Sequence, residues 1–170
     1  MNRTNAKRIS STHEEMINAP AEKIFPLACP VEELKWIDGW GDQHELVYTD
    51  SGVNEKNCIF KEYMSGLILF DKPVTTTWIT VRHDPKEKQV EFVLVIGQKA
   101  TIKFDLDIKG EDNGFSKCTW AFIFTALDEE TDSIDEKVIK EKLVAIQTSL
   151  ASMLKHYCET GGMMKLDFNL

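Results

Sequence analysis

The sequence predicts an α+β fold in which a curved antiparallel β-sheet covers a long C-terminal helix. Two observations lead to this prediction. Residues 43–127 form short runs of alternating apolar and polar side chains, separated by turn residues. Residues 139–157 instead repeat apolar side chains every three or four positions, the period of an amphipathic helix. The connections between the runs are too short for crossover helices, so neighbouring strands are expected to be antiparallel.

The N-terminal part is predicted to contain one strand and two short helices. Alternation over Lys7–Asn18 indicates the strand, although its parity is imperfect. Pro20 and Pro30 each begin a helix, because proline lacks the N–H that a first helical turn leaves unpaired. Gly39 is the expected end of the second helix.

The middle of the chain is predicted to form a meander of six strands. Their expected bounds are Glu45–Thr49, Asn57–Met64, Val74–His83, Gln89–Ile96, Lys99–Ile108 and Phe115–Leu127. The dipeptides Gly97-Gln98 and Asn113-Gly114 are typical of tight hairpin turns. In the last three strands the large apolar residues share one parity, which predicts one covered face and one wet face.

The last element is predicted to be one long helix that covers the sheet. Ser133-Ile134-Asp135-Glu136 has the S-x-x-E pattern of a capping box, and Gly161-Gly162 is a natural end. The apolar stripe between them comprises Ile139, Leu143, Ile146, Leu150, Met153 and Tyr157. A helix of this length spans roughly 40 Å, enough to cross a whole sheet.

Two segments resemble a known superfamily. Residues 17–25 (INAPAEKIF) resemble the strand, "AP" dipeptide and helix that open START-like, Bet v 1-like (SRPBCC) proteins. Residues 33–40 (ELKWIDGW) look like the tryptophan-containing second helix of its bacterial members, which include polyketide cyclase/dehydrase-like and lipid-transport-like proteins. The resemblance implies the helix-grip fold, with a ligand cavity between the sheet and the C-terminal helix.

A mainly apolar cavity of a few hundred Å³ is therefore expected, which is the usual size for a small ligand. The candidate ligand-binding residues are Trp36, Trp40, Trp78, Phe92, Phe104, Trp120, Phe122, Leu143, Ile146 and Leu150. The alternative is that these rings simply fill the core.

The resemblance implies three functions, and the residues alone do not choose among them. The first is binding, or transport, of a small hydrophobic molecule such as a lipid or polyketide. The second is a cyclase or dehydratase that uses the same cavity, which requires an acid or base with a shifted pKa inside it. The third is an interaction module similar to the activator of Hsp90 ATPase, which requires a filled core.

Polar candidates for such chemistry are few. His13 and Glu15 share strand parity and form a candidate general base, although a satisfied surface pair is the more common arrangement. Arg82 is a candidate partner for a ligand carboxylate, and the parity of Glu62 hints at an inward position. A solvated charge is the default expectation for both. The histidines have no metal-binding spacing, so neither a metal nor a cofactor is predicted.

The apolar segment Gly66–Phe70 falls in an expected loop and needs an explanation. A lid over the cavity, a contact surface in a homodimer and an extension of a strand are all left open.

Composition bounds the remaining possibilities. A chain of 170 residues suggests a single domain over residues 1–170. Its formal net charge of −8 disfavours nucleic-acid binding, because phosphate backbones would repel it. No signal peptide or membrane span is predicted, and four cysteines without CxxC spacing suggest reduced thiols in a cytoplasmic protein.

Overall fold

The computed structural model describes residues 5–165, which form one seven-stranded antiparallel sheet and five α-helices. The strands are β1 (Arg8–Ile17), β2 (His44–Tyr48), β3 (Ile59–Glu62), β4 (Thr76–Asp84), β5 (Gln89–Ile96), β6 (Ala100–Gly110) and β7 (Ser116–Ala126). The helices are α1 (Ala21–Ile24), α2 (Trp40–Gln43), α3 (Met64–Phe70), α4 (Glu129–Ser133) and α5 (Glu136–Thr160), with 3₁₀ helices at Phe25–Leu27 and Glu32–Lys35. The predicted fold class is confirmed.

The sheet order is β1-β7-β6-β5-β4-β3-β2, so that β2 to β7 form the predicted meander and β1 pairs with β7. Burial alternates along β5, β6 and β7 as their sequence parity predicts. Phe92, Phe104 and Phe122 stand opposite one another in register and make an aromatic row across these strands. Gly97 closes the β5–β6 hairpin with a φ of 52°, a conformation that favours glycine.

Helix α5 is present, but its predicted capping box is wrong. The N-cap is Asp135, whose carboxylate accepts a hydrogen bond from the backbone N–H of Lys137 at 2.7 Å. Ser133 instead ends the preceding helix α4, which the sequence analysis missed, and Glu136 is the first residue of α5. Gly161 ends α5 as predicted, with a φ of 74°.

A buried glutamine fixes α5 to the sheet. Gln147 is completely buried, accepts a hydrogen bond from the Ser11 hydroxyl at 2.8 Å, and donates to the Trp120 carbonyl at 2.9 Å and to the Ser11 carbonyl at 3.2 Å. These bonds connect the helix to β1 and β7, the two strands at one side of the sheet. The apolar stripe did not reveal Gln147, because a polar residue inside the stripe is expected to face solvent.

The segment Gly66–Phe70 belongs to helix α3, so the strand-extension alternative is wrong. Leu69 of this helix is buried, and α3 packs against α5. The helix also lies close to the chain that leads into β4. A Cβ on Gly66 would stand 2.2 Å from the Val74 carbonyl oxygen, so only glycine permits this approach. Within residues 5–165, no helix has the length and apolar character required to cross a membrane.

Candidate functional site

A cavity of about 120 Å³ lies between the inner face of the sheet and helix α5. Helix α3 and the segment from the second 3₁₀ helix to α2 complete its wall. Strands β3 to β7 contribute their inward side chains, and α5 contributes residues between Ile146 and Leu154. The volume is smaller than the few hundred Å³ expected from the sequence, because the aromatic side chains fill much of the space between the sheet and α5.

The structure places nine of the ten predicted ligand-binding residues around this cavity. They are Trp36, Trp40, Trp78, Phe92, Phe104, Trp120, Phe122, Ile146 and Leu150. Leu143 is fully buried but does not border the cavity, because the hollow begins one turn further along α5. All four tryptophans of the chain therefore face one small space.

Stacked and edge-on rings make the sheet side of the cavity rigid. Trp78 stacks on Phe60 with ring centroids 5.2 Å apart, and Phe104 meets Phe122 edge-on at 4.7 Å. On the opposite wall, the indole N–H of Trp36 donates to the Leu27 carbonyl at 3.1 Å. The Trp40 indole likewise donates to the Pro30 carbonyl at 2.8 Å. Because their N–H groups are satisfied inside the protein, these indoles present apolar ring surface to the cavity.

Glu62 is one of two ionisable residues that line the cavity within the described chain. It is only 1% exposed, and it accepts hydrogen bonds from the Ser65 backbone N–H at 3.0 Å, from the Ser65 hydroxyl and from the Trp78 indole at 3.1 Å. The default expectation of a solvated Glu62 was therefore wrong, whereas the parity argument for an inward position was right.

The second ionisable residue is Glu33, on the 3₁₀ helix Glu32–Lys35. Enclosure by the protein, reinforced by the negative charge of Glu62, raises the pKa of the Glu33 carboxyl to about 8. Within residues 5–165, no group donates a hydrogen bond to this carboxyl. At neutral pH, Glu33 is therefore a mainly protonated acid that borders an apolar hollow.

The sequence analysis missed Glu33 as a cavity residue, although a signal was present. Glu33, Trp36, Ile37 and Trp40 follow the spacing i, i+3, i+4 and i+7, which places them on one side of a helical segment. The structure brings all four to the cavity wall. In the sequence, Glu33 was noted only as the first residue of the tryptophan-containing segment 33–40.

The other polar candidates lie elsewhere. His13 and Glu15 face α5, where Glu15 pairs with Lys155 at 2.6 Å, and neither borders the cavity. Arg82 is exposed and lies 3.6 Å from Asp84. A bulge between Thr80 and Arg82 breaks the register of β4, which explains why Arg82 does not follow Trp78 inward. The described residues contain no cluster of three or more side chains suited to a metal ion.

Comparisons with known proteins identify the fold. No protein-family model matches the sequence, and no curated protein matches it with significant similarity. Among solved structures, the protein Ara h 8.0201 superposes with a TM-score of 0.66 at 13% identity, covering 91% of this chain and 99% of that one. Norcoclaurine synthase from Thalictrum flavum gives a TM-score of 0.67 at 12% identity, covering 91% of this chain and 88% of that one.

An aromatase/cyclase, Zhui from Streptomyces sp. R1128, gives a TM-score of 0.61 at 11% identity and covers 93% of this chain and 100% of that one. These similarities confirm the resemblance to Bet v 1-like proteins at the level of the fold. Identities this low leave the ligand and the chemistry to be argued from the cavity itself.

Proposed function

We propose that this protein binds a small, mainly apolar molecule in the cavity between the sheet and α5. The observation that carries the proposal is the cavity wall, in which apolar side chains surround a hollow and all four tryptophans take part. Apolar surface that moves from water into such a site gains about 25 cal/mol per Å². The structural neighbours include an aromatase/cyclase and a synthase with a bound transition-state analogue, so this fold accommodates small organic molecules in other proteins.

The cavity volume limits the ligand. About 120 Å³ is below the roughly 300–1,000 Å³ of pockets for drug-sized molecules, so the closed cavity suits a single ring or a short chain. A larger ligand requires α3 to move, because Met64, Ser65 and Ile68 of this helix form part of the wall. The lid alternative for this segment is consistent with that position. The interaction-module hypothesis assumed a filled core, which the hollow disfavours.

Quenching of tryptophan fluorescence by bromobenzene, a neutral single-ring molecule with a heavy atom, tests the proposal. We expect saturable quenching with a dissociation constant of about 0.1–1 mM, equivalent to roughly 4–5.5 kcal/mol. The double variant Ile146→Phe/Leu150→Phe reduces the cavity and should weaken binding at least tenfold. The matched control is Val138→Phe/Val144→Phe, which adds the same rings on the exposed side of α5. Non-saturable quenching, or equal quenching in both variants, would refute the proposal.

An acid–base enzyme is the second candidate, and Glu33 is the observation that favours it. Glu33, a mainly protonated acid, and Glu62 line the same cavity, and two carboxyl groups in one site are the usual arrangement of a general acid and a general base. Such a pair suits cyclisation or dehydration of an apolar carbonyl compound. In a screen of such compounds, turnover that Glu33→Gln abolishes without weakening binding would support it, and turnover that Glu33→Gln leaves unchanged would exclude a role for this acid.

A further inference from the structure

Within residues 5–165, Glu62 has no cationic partner, in contrast to several other acids that lie partly inside the protein. Among the described residues, Glu15 pairs with Lys155 at 2.6 Å and Glu91 lies 3.3 Å from Lys103. Glu62 is far more deeply buried than either, yet its three hydrogen bonds come from neutral groups. These donors satisfy the hydrogen-bonding capacity of the Glu62 carboxylate but leave its charge unpaired, so a cation from outside would complete the site.

The cavity has the character of a cation site. None of the described residues that line it is a lysine, an arginine or a histidine. The side chains of Trp36, Trp40 and Trp78 border the same space, and aromatic faces attract cations most strongly where water is excluded. Glu33 adds a second carboxyl that receives no hydrogen bond within the described chain. One small hollow thus combines carboxyl groups and indole rings, with no built-in positive charge.

We propose that the ligand of this cavity is a small aromatic or aliphatic amine, whose protonated nitrogen is held by Glu62 and Glu33 while its apolar part packs against the tryptophans. This inference rests on the proposed binding function and names the class of ligand. The carboxylate of Glu62 supplies the counter-charge, and the ammonium group supplies the hydrogen-bond donors that Glu33 lacks.

In this arrangement, binding of the amine is coupled to the release of a proton from Glu33. In the free protein, enclosure and the charge of Glu62 keep this carboxyl protonated at neutral pH. An ammonium group between the two carboxyls offsets the repulsion and favours ionisation of Glu33. Glu33 and Glu62 are the titratable groups that border the cavity within the described chain, so the proton released on binding is assigned to Glu33.

Isothermal titration calorimetry with benzylamine, benzyl alcohol and benzoate at pH 7.5 tests the inference, because these single-ring probes differ in charge. We expect benzylamine to bind at least tenfold more tightly than benzyl alcohol, and benzoate not to bind. Repeating the benzylamine titration in buffers of different ionisation enthalpy should reveal the release of a fraction of a proton.

Two variants and one control assign these effects. Glu62→Gln should remove the preference for the amine, and Glu33→Gln should abolish the proton release. Glu45→Gln removes the same charge from the exposed face of the neighbouring strand β2 and should behave as the wild type. Thermal unfolding confirms that each variant is folded, and the result for Glu62→Gln decides the amine assignment.

The outcomes separate this inference from the proposed function. Equal affinity for benzyl alcohol and benzylamine would overturn the amine assignment, while the binding function would stand. A preference for the amine that Glu62→Gln leaves unchanged would also overturn it. If no probe binds and bromobenzene does not quench the tryptophans, the proposed function itself fails.

Discussion

The half-buried carboxyl of Glu33 should make the protein less stable as the pH rises. Its pKa is raised from an ordinary value of 4.5 to about 8, so the folded state retains a proton that the unfolded chain loses. A group of this kind stabilises the fold fully below pH 4.5, and the effect is lost progressively as the pH rises to about 8. One pKa unit corresponds to about 1.36 kcal/mol, so ionisation in place lowers the free energy of unfolding by about 4 kcal/mol between pH 5 and pH 9.

Glu33→Gln is the perturbation that isolates this effect, because glutamine has the shape of a protonated glutamate and does not ionise. Urea unfolding at pH 5, 7 and 9 gives the free energy of unfolding for both proteins. We expect a small difference at pH 5, and a variant more stable than the wild type by several kcal/mol at pH 9. Glu32→Gln removes the neighbouring acid that pairs with Lys35 near the surface and should follow the wild type. Parallel pH profiles for wild type and Glu33→Gln would refute the assignment of a protonated Glu33 at the cavity wall.

Three further predictions concern the frame of the cavity. Gln147→Met leaves the Ser11 hydroxyl and two carbonyls without their partner, so we expect it to lower the free energy of unfolding by about 2–3 kcal/mol. The control Val144→Met, on the exposed side of α5, should change the free energy of unfolding little. Gly66→Ala forces α3 away from the Val74 carbonyl and should lower the free energy of unfolding, measured by chemical denaturation, by about 2–4 kcal/mol. The methyl group of the control Gly110→Ala would meet open space, so this variant should be about as stable as the wild type. Trp78→Phe removes an indole donor from Glu62 and should lower the melting temperature and weaken benzylamine binding. A benzylamine affinity equal to that of the wild type would contradict the role of this hydrogen bond.

The elements with strong periodicity were predictable from the sequence. Strand β5 has the bounds expected for it, Gln89–Ile96, because alternation and a glycine turn define both of its ends. Helix α5 follows the predicted stripe for the same reason. Element order alone was sufficient to identify the fold class, since short turns permit only antiparallel neighbours.

What the sequence did not reveal depends on contacts between distant residues. Helix α3 has only seven residues and is stabilised by packing against α5, so its own pattern was too short to distinguish a helix from a loop. The bulge in β4 separates the inward Trp78 from the outward Arg82, and parity cannot show a bulge. Gln147 and Glu62 are buried because specific partners satisfy them, which only the folded chain makes visible.

The size of the cavity could also not be predicted from the sequence. Parity correctly placed Phe92, Phe104 and Phe122 on the inner face, but it does not say how much space remains between rings that touch across three strands. The position of Glu33 at the cavity wall could have been predicted from its spacing relative to Trp36 and Trp40. An acid on such a stripe looks like an ordinary exposed residue until its neighbours are known.

The proposed function requires a ligand that enters the cavity beneath α5. Methyl-labelled protein (isoleucine, leucine and methionine), titrated with bromobenzene and with benzylamine, tests this most directly through nuclear Overhauser contacts between ligand and protein. We expect contacts to the methyl groups of Ile102, Ile146, Leu150 and Met153, which line the cavity. Contacts confined to exposed methyl groups, such as those of Leu46 on β2, or no contacts at all, would contradict ligand binding in the cavity.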